Sequence, residues 1–314
     1  MIKLIQDNNV AIRHFQDNEA ELRRRINYII DNGISIEKTT YIPIGSDFLF
    51  LDELLEQDNL KQLITAQPDK LGPITRLLHR KTPDLYDTES KLYFIIYNIF
   101  ISTAYKKFDK YEFVKTIGTD TCSYCNRNYI YYLDRASNVK PEIDHFFPKD
   151  IHPILGMSYF NLIPSCESCN GLTSKRNLDP IIEKLTNPYM LNDGDFLFTF
   201  KLVSSHILTS AMDKSSIEVI MKKKLDGHLK AFHLDKLYAK HSDHILELII
   251  KSKVKYNRTY RRYLQTYRNN GLRLTDSEID RMILGNYALA EEMHLRPFTK
   301  LYQDIGKELG LIKP

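Results

Sequence analysis

The chain has 314 residues, a formal net charge of +4 and a hydrophobic fraction of 43%, enough for a real core and one to three domains. So small an excess of base excludes bulk charge as a source of nucleic-acid affinity, which would have to come from local clusters. The opening MIKLIQDNNVAIRHFQD lacks an apolar signal core, and the uncharged apolar run over residues 93–105 is too short for a bilayer. A cytoplasmic protein with no membrane segment is therefore expected.

In chain order, residues 1–117 read as a mostly helical region. Helical spacing recurs over 20–32, 52–65 and 88–105, with Pro68, Pro73 and Pro83 as breaks. Residues 118–180 read as a separate module. The spacing there predicts a strand over 128–133, a turn over 134–138 and an extended piece over 141–147. A second extended piece is predicted over 161–164, then a helix from near Cys169 to about Asn177. Residues 181–314 predict a hairpin, 195–203 against 216–222, followed by helices from Leu225 with a break at Asn269-Asn270-Gly271. A capping box is expected at Thr275 and Glu278. The fold class expected is α+β: mostly helical, with a small embedded β-containing module and a hairpin.

The four cysteines fall in two CxxC pairs, Cys122/Cys125 and Cys166/Cys169, and none is left over. Each knuckle can put two thiolates on one side of a metal, and two knuckles complete a structural zinc site. Without an export signal, zinc is favoured over disulfides. Asp144-His145 lies between the pairs and Asn170 follows the last cysteine. A histidine titrating near neutrality can take a proton from water. Asp144 and Asn170 offer hard oxygens that suit Mg²⁺ or Mn²⁺. His152, close by, reads as a loop residue.

The order CSYCNRN, EIDHFFPK, YFNLIPSCESCN and a following lysine resembles the HNH (ββα-metal) endonucleases of the zinc-stapled type. The resemblance implies His145 as general base, Asn161 as the residue that braces the loop, and Asp144 and Asn170 as ligands of a catalytic Mg²⁺ or Mn²⁺. It also implies Lys175 as a contact to substrate phosphate or leaving group, although this lysine lies five residues after Asn170 where about three is usual. Products would carry 5′-phosphate and 3′-hydroxyl ends. The phrases DHFFPK, NLIPSCESCN, ILGNY and RPFTKLYQDI are similar to bacterial HNH proteins encoded beside AAA/ABC-type ATPases in anti-phage systems of the Septu and retron-effector kind. That likeness implies DNA as target and an ATPase as partner. The rival readings are an RNA- or tRNA-directed nuclease and a non-catalytic zinc ribbon that only binds nucleic acid or protein.

Residues 251–268 carry seven Lys or Arg and no acid. Lys251, Lys253, Lys255, Arg258, Arg261 and Arg262 could track phosphates. Tyr256, Tyr260, Tyr263 and Tyr267 follow i, i+4, i+7, i+11, which favours a core face over a stacking platform for bases. Lys222-Lys223-Lys224 reads as a solvated strand end, and Arg296 with Lys300 as packing or partner surface.

Overall fold

The computed structural model describes residues 1–56, 58–136, 139–171, 175, 177–192, 194–204, 214–223, 225–256, 258–267 and 273–313, save the side chains of Lys223, Val254, Lys255 and Arg258. Helix α1 (Asn8–Asn32) is the spine of the first region. It begins twelve residues earlier than spacing from 20–32 predicts, because Ala11, His14 and Phe15 extend its buried stripe and the Asp7 carboxylate caps Asn9 N–H at 2.8 Å. It ends at Gly33, whose φ of 75° and crowding against the Tyr41 carbonyl leave no room for a Cβ. The hairpin β1 (Ile34–Ile36) and β2 (Thr39–Tyr41) follows.

Helices α2 (Gly45–Leu55) and α3 (Asn59–Ile64) replace the single helix expected over 52–65. The chain turns extended at Glu56, and this lets Leu60, Leu63 and Ile64 join Leu51 and Leu54 in the core. Pro73 does not break α4 (Pro68–Lys81) but sits inside it. The carbonyl that its missing N–H cannot serve belongs to Asp69, an exposed residue. After α5 (Lys91–Tyr97), capped by Ser90, the helix widens into a π-helical run, Asn98–Tyr105, packed on α1. Arg25 of α1 donates to the Asn98 side chain at 2.6 and 2.8 Å where the widening starts. Helix α6 (Lys110–Ile117) ends at Gly118 in the left-handed region.

In the central module no strand forms over 128–133, contrary to expectation. One bridge, Thr121 to Tyr129, is made, and Tyr129, Tyr131 and Leu133 stay exposed for want of a partner strand. The turn expected over 134–138 and the break at 269–271 fall partly or wholly outside the described residues. The two extended pieces do pair: β3 (Glu142–His145) runs antiparallel to β4 (Leu162–Ser165), with Asp144 opposite Ile163 and His145 opposite Leu162. The described part of the next helix, α7, is only Glu167–Asn170, and residues 172–174 and 176 lie outside the description.

Strands β5 (Leu197–Leu202) and β6 (Ile217–Lys223) form the expected hairpin. Helices α8 (Asp226–Phe232), α9 (Leu234–Ala239), α10 (Ser242–Ile250), α11 (Arg258–Thr266), α12 (Asp276–Leu284) and α13 (Thr299–Glu308) follow. The capping box of Thr275 and Glu278 is present. The chain is thus a mostly helical α+β protein with small antiparallel strand pairs. Among the described residues no helix is long and apolar enough to cross a membrane.

Two buried histidines tie stability to pH. Burial lowers His14, bonded to the Met157 carbonyl, to about 4, and His228 to about 3. Both rings are neutral when folded, while the unfolded chain protonates them below about 6.5. Their contribution is complete above that pH and drains away as pH falls toward 3 to 4, on the order of 3 kcal/mol each by pH 4. Thermal melts from pH 7.5 to 4 should therefore show a midpoint falling steadily below 6.5. A flat profile would contradict the assignment.

Candidate active site and metal centre

The two cysteine pairs converge. Cys122 and Cys125 lie on the turn after α6, Cys166 caps α7 and Cys169 lies within it. All four are buried, with sulfurs within 4.8 Å of one another and no disulfide. The Cys125 and Cys166 sulfurs are 3.9 Å apart, close to the edge of about 3.8 Å in a tetrahedron of 2.3 Å zinc–sulfur bonds. The Arg127 N–H and the Asn128 amide point at Cys125 and Cys166 sulfurs from 3.4 and 3.2 Å. Burial pushes the Cys122 thiol well up, whereas hydrogen bonds from Cys122 and the other cysteines hold Cys166 down. Four sulfurs this close can all ionise only around a cation. The cluster fits a metal ion such as zinc.

The first knuckle is backed from far along the chain. Asn126, buried with φ 50°, donates to Thr121 Oγ1 at 2.9 Å and to the Met293 carbonyl at 3.2 Å, and its Oδ1 accepts from Lys300 N–H at 3.0 Å. The Tyr238 hydroxyl donates to the Cys125 carbonyl at 2.6 Å.

His145 closes β3. Its Nε2 is 3.1 Å from the Gly156 carbonyl, which can only accept, so Nε2 carries the proton and Nδ1 the lone pair. Burial lowers its pKa to about 3 and the Gly156 bond opposes the fall, so the ring is neutral at pH 7. The Nδ1 atoms of His152, His228 and His294 are sealed without partners. That of His145 is not among them, and the residue keeps 7% exposure. Tyr105, the last residue of the π-helical run, lays its ring 4.5 Å from the imidazole. Gly156 itself is tight: a Cβ there would meet Ile101 of the same run at 2.1 Å and the Pro153 carbonyl at 2.9 Å.

Asn161, wholly buried, ties the intervening loop together. Its Oδ1 accepts from Phe147 N–H at 2.7 Å, and its amide donates to the Phe147 and Leu155 carbonyls at 3.2 and 3.0 Å. Asn161 thus ties both ends of the loop that presents Gly156 to His145.

Asp144 has partners on both oxygens. The Tyr124 hydroxyl donates to Oδ2 at 2.5 Å, and the Lys175 ammonium reaches Oδ1 at 3.1 Å and Oδ2 at 3.0 Å. Lys175 also donates to the His145 carbonyl at 2.7 Å. Contact with a substrate phosphate requires an exposed ammonium, but Lys175 is completely buried. Burial lowers its pKa, with the Asp144 charge opposing. Asn170 is half-buried at the end of α7, which packs on β3. His152 is no open ligand, since its Nε2 faces Asp179 at 3.1 Å.

The basic stretch is only partly a free surface. Lys251 donates to the Leu284 carbonyl, and Arg261 to the Leu311 carbonyl and Asp280. Lys253 and Arg262 are exposed, while the side chains of Lys255 and Arg258 lie outside the described residues. The tyrosines form a core face only in part: Tyr256 packs against the core, but Tyr260 and Tyr263 do not. Among the described side chains of α11 Leu264 is the buried one, and Tyr260 and Tyr263 are 40% and 56% exposed in a ladder of rings 5.3 to 6.1 Å apart. Elsewhere, Lys300 is buried against Asp304 at 2.6 Å, while Arg296 lies over Tyr287. His241, Asp243 and His244 cluster too, but His241 Nε2 accepts from Arg127 and His244 Nδ1 is bonded to Tyr302.

Sequence reasoning missed Tyr105, Tyr124, Asn126 and Gly156. Asn126 alone carried a local signal, as an Asn directly after CxxC where a left-handed residue is needed.

No family model and no solved structure matches this chain. Over 72 residues, 23% of its length, it is 38% identical to the Septu protein PtuB of Bacillus thuringiensis. It spans about a quarter of the length of that curated relative, so what the two share is a segment.

Proposed function

We propose that this chain is an HNH-type endonuclease hydrolysing phosphodiester bonds, with DNA as the favoured target, acting in anti-phage defence beside an AAA/ABC-type ATPase. One observation carries the catalytic reading: a neutral histidine whose Nε2 proton is fixed on a carbonyl, leaving the lone pair on Nδ1, next to a carboxylate, on a β3–β4–α7 unit closed by four cysteines. The similarity to a Septu protein supports the defence reading.

In this mechanism His145 Nδ1 takes the proton of an attacking water. Asn161 and Gly156 keep the ring from turning, so the lone pair stays aimed. Asp144 and Asn170 would hold Mg²⁺ or Mn²⁺. Their oxygens are hard donors, and the Lys175 ammonium on Asp144 marks that carboxylate as a seat for positive charge. When bound, such an ion neutralises charge at phosphorus and stabilises the leaving oxygen.

An RNA or other single-stranded target is favoured by one feature. Exposed Tyr260 and Tyr263 flank exposed Arg262, a pairing that suits unpaired bases. The zinc-loaded chain should be offered plasmid, single-stranded DNA and tRNA, each with Mg²⁺, Mn²⁺ or EDTA. Metal-dependent nicking of plasmid is expected. Cleavage of tRNA alone moves the target to RNA. Binding without cleavage of any substrate, with the ATPase present, leaves only the non-catalytic zinc ribbon.

A further inference from the structure

We propose that Lys175 is an internal cation that competes with a divalent ion for Asp144, so that metal enters only when the lysine leaves. The choice of ion rests on the nuclease reading above, but the competition rests on geometry alone. The ammonium has three acceptors, both Asp144 oxygens and the His145 carbonyl, at 3.1, 3.0 and 2.7 Å. It is sealed from solvent, and Asp144 is 3% exposed. With the Tyr124 hydroxyl on Oδ2 as well, the carboxylate is already matched in charge and largely saturated in hydrogen bonds.

A divalent ion ligated to Asp144 would lie within a few ångströms of that ammonium, in surroundings that screen poorly, and the two cations repel. They cannot both occupy the carboxylate. A lysine can yield where a rigid side chain could not, because its charge rides on a flexible four-carbon stem. The site as it stands therefore carries its own placeholder, which lets a buried Asp144 exist without metal and sets a threshold concentration for loading.

Two measurements on the full, zinc-loaded chain test this. The first is Mn²⁺ binding by electron paramagnetic resonance. Lys175→Met should bind Mn²⁺ tighter than wild type by roughly tenfold or more, and Asp144→Asn should abolish that site. Equal or weaker binding by a folded Lys175→Met overturns the competition. The second needs no variant: acetic anhydride labelling of wild type, read at Lys175 by mass spectrometry. The lysine should be protected without Mn²⁺ and labelled at saturating Mn²⁺. Unchanged protection at saturation overturns the proposal even if Lys175→Met does not fold. The two readings fail separately. If no nucleic acid is cut but Mn²⁺ exposes Lys175, the nuclease reading falls and the competition stands. If wild type cuts while Lys175 stays sealed with Mn²⁺ bound, the reverse holds.

Discussion

Cys166→Ser is expected to release the metal and unfold the segment it staples. Cys166 is the sulfur that receives the Asn128 amide and lies 3.9 Å from Cys125, so it joins the two knuckles directly. A serine hydroxyl is a poor ligand for a thiophilic ion, and the three remaining sulfurs would be left buried without the cation that lets them ionise together. Structural zinc contributes about 10–16 kcal/mol in finger peptides, comparable to the whole stability of a typical domain, about 5–15 kcal/mol. Zinc content should fall from about one ion per chain to near zero. The melting midpoint should drop on the order of 10 °C or more, or the variant should aggregate. A variant with wild-type zinc content and melting would show that the cysteines are packing residues only.

His145→Ala should lower the cleavage rate by roughly a thousandfold, within the range expected of a general base. Because the imidazole packs on Tyr105, the truncation also leaves a gap. His145→Gln fills more of that space and still donates to Gly156, yet has no basic nitrogen, so it should be as inactive as the alanine variant while melting closer to wild type. Zinc content should be unchanged in both. Cleavage within tenfold of wild type in either variant would remove His145 from the chemistry. Active glutamine beside inactive alanine would make it a spacer.

Much of the central module was legible because residue type and spacing decide it. Two CxxC pairs have few uses, and the extended pieces around Asp144 and Asn161 alternate with loop signals strongly enough to predict β3 and β4. The hairpin of β5 and β6 and the Thr275 cap were legible for the same local reasons. What was not legible depends on contacts distant in sequence. The spacing of Tyr256, Tyr260, Tyr263 and Tyr267 is that of a core face, yet Leu264 takes the buried position and two of the tyrosines face solvent. Helical spacing says which residues share a side, not what meets that side. The partners of Asp144 come from 20 residues before it and 31 after it; the motif marked Lys175 only as a phosphate contact, and nothing marked Tyr124. The widened helix under His145 gave no signal, because a π-helical run reads like any apolar helix.

The grip of Asn126 on the segment around Met293 and Lys300 has a bearing on timing. Those bonds span 167 to 174 positions, and contacts so remote close late. A ribosome that has delivered all four cysteines, His145 and Lys175 still has more than a third of the chain to make before the first knuckle receives its backing. Nascent chains would thus carry the four cysteines, His145 and Lys175 without the backing of the first knuckle. Zinc retention by chains stopped at residue 290, compared with chains that include residue 300, reads this directly, and equal retention would refute it. On the nuclease reading, the order of synthesis keeps the first knuckle without its backing until most of the chain has been made.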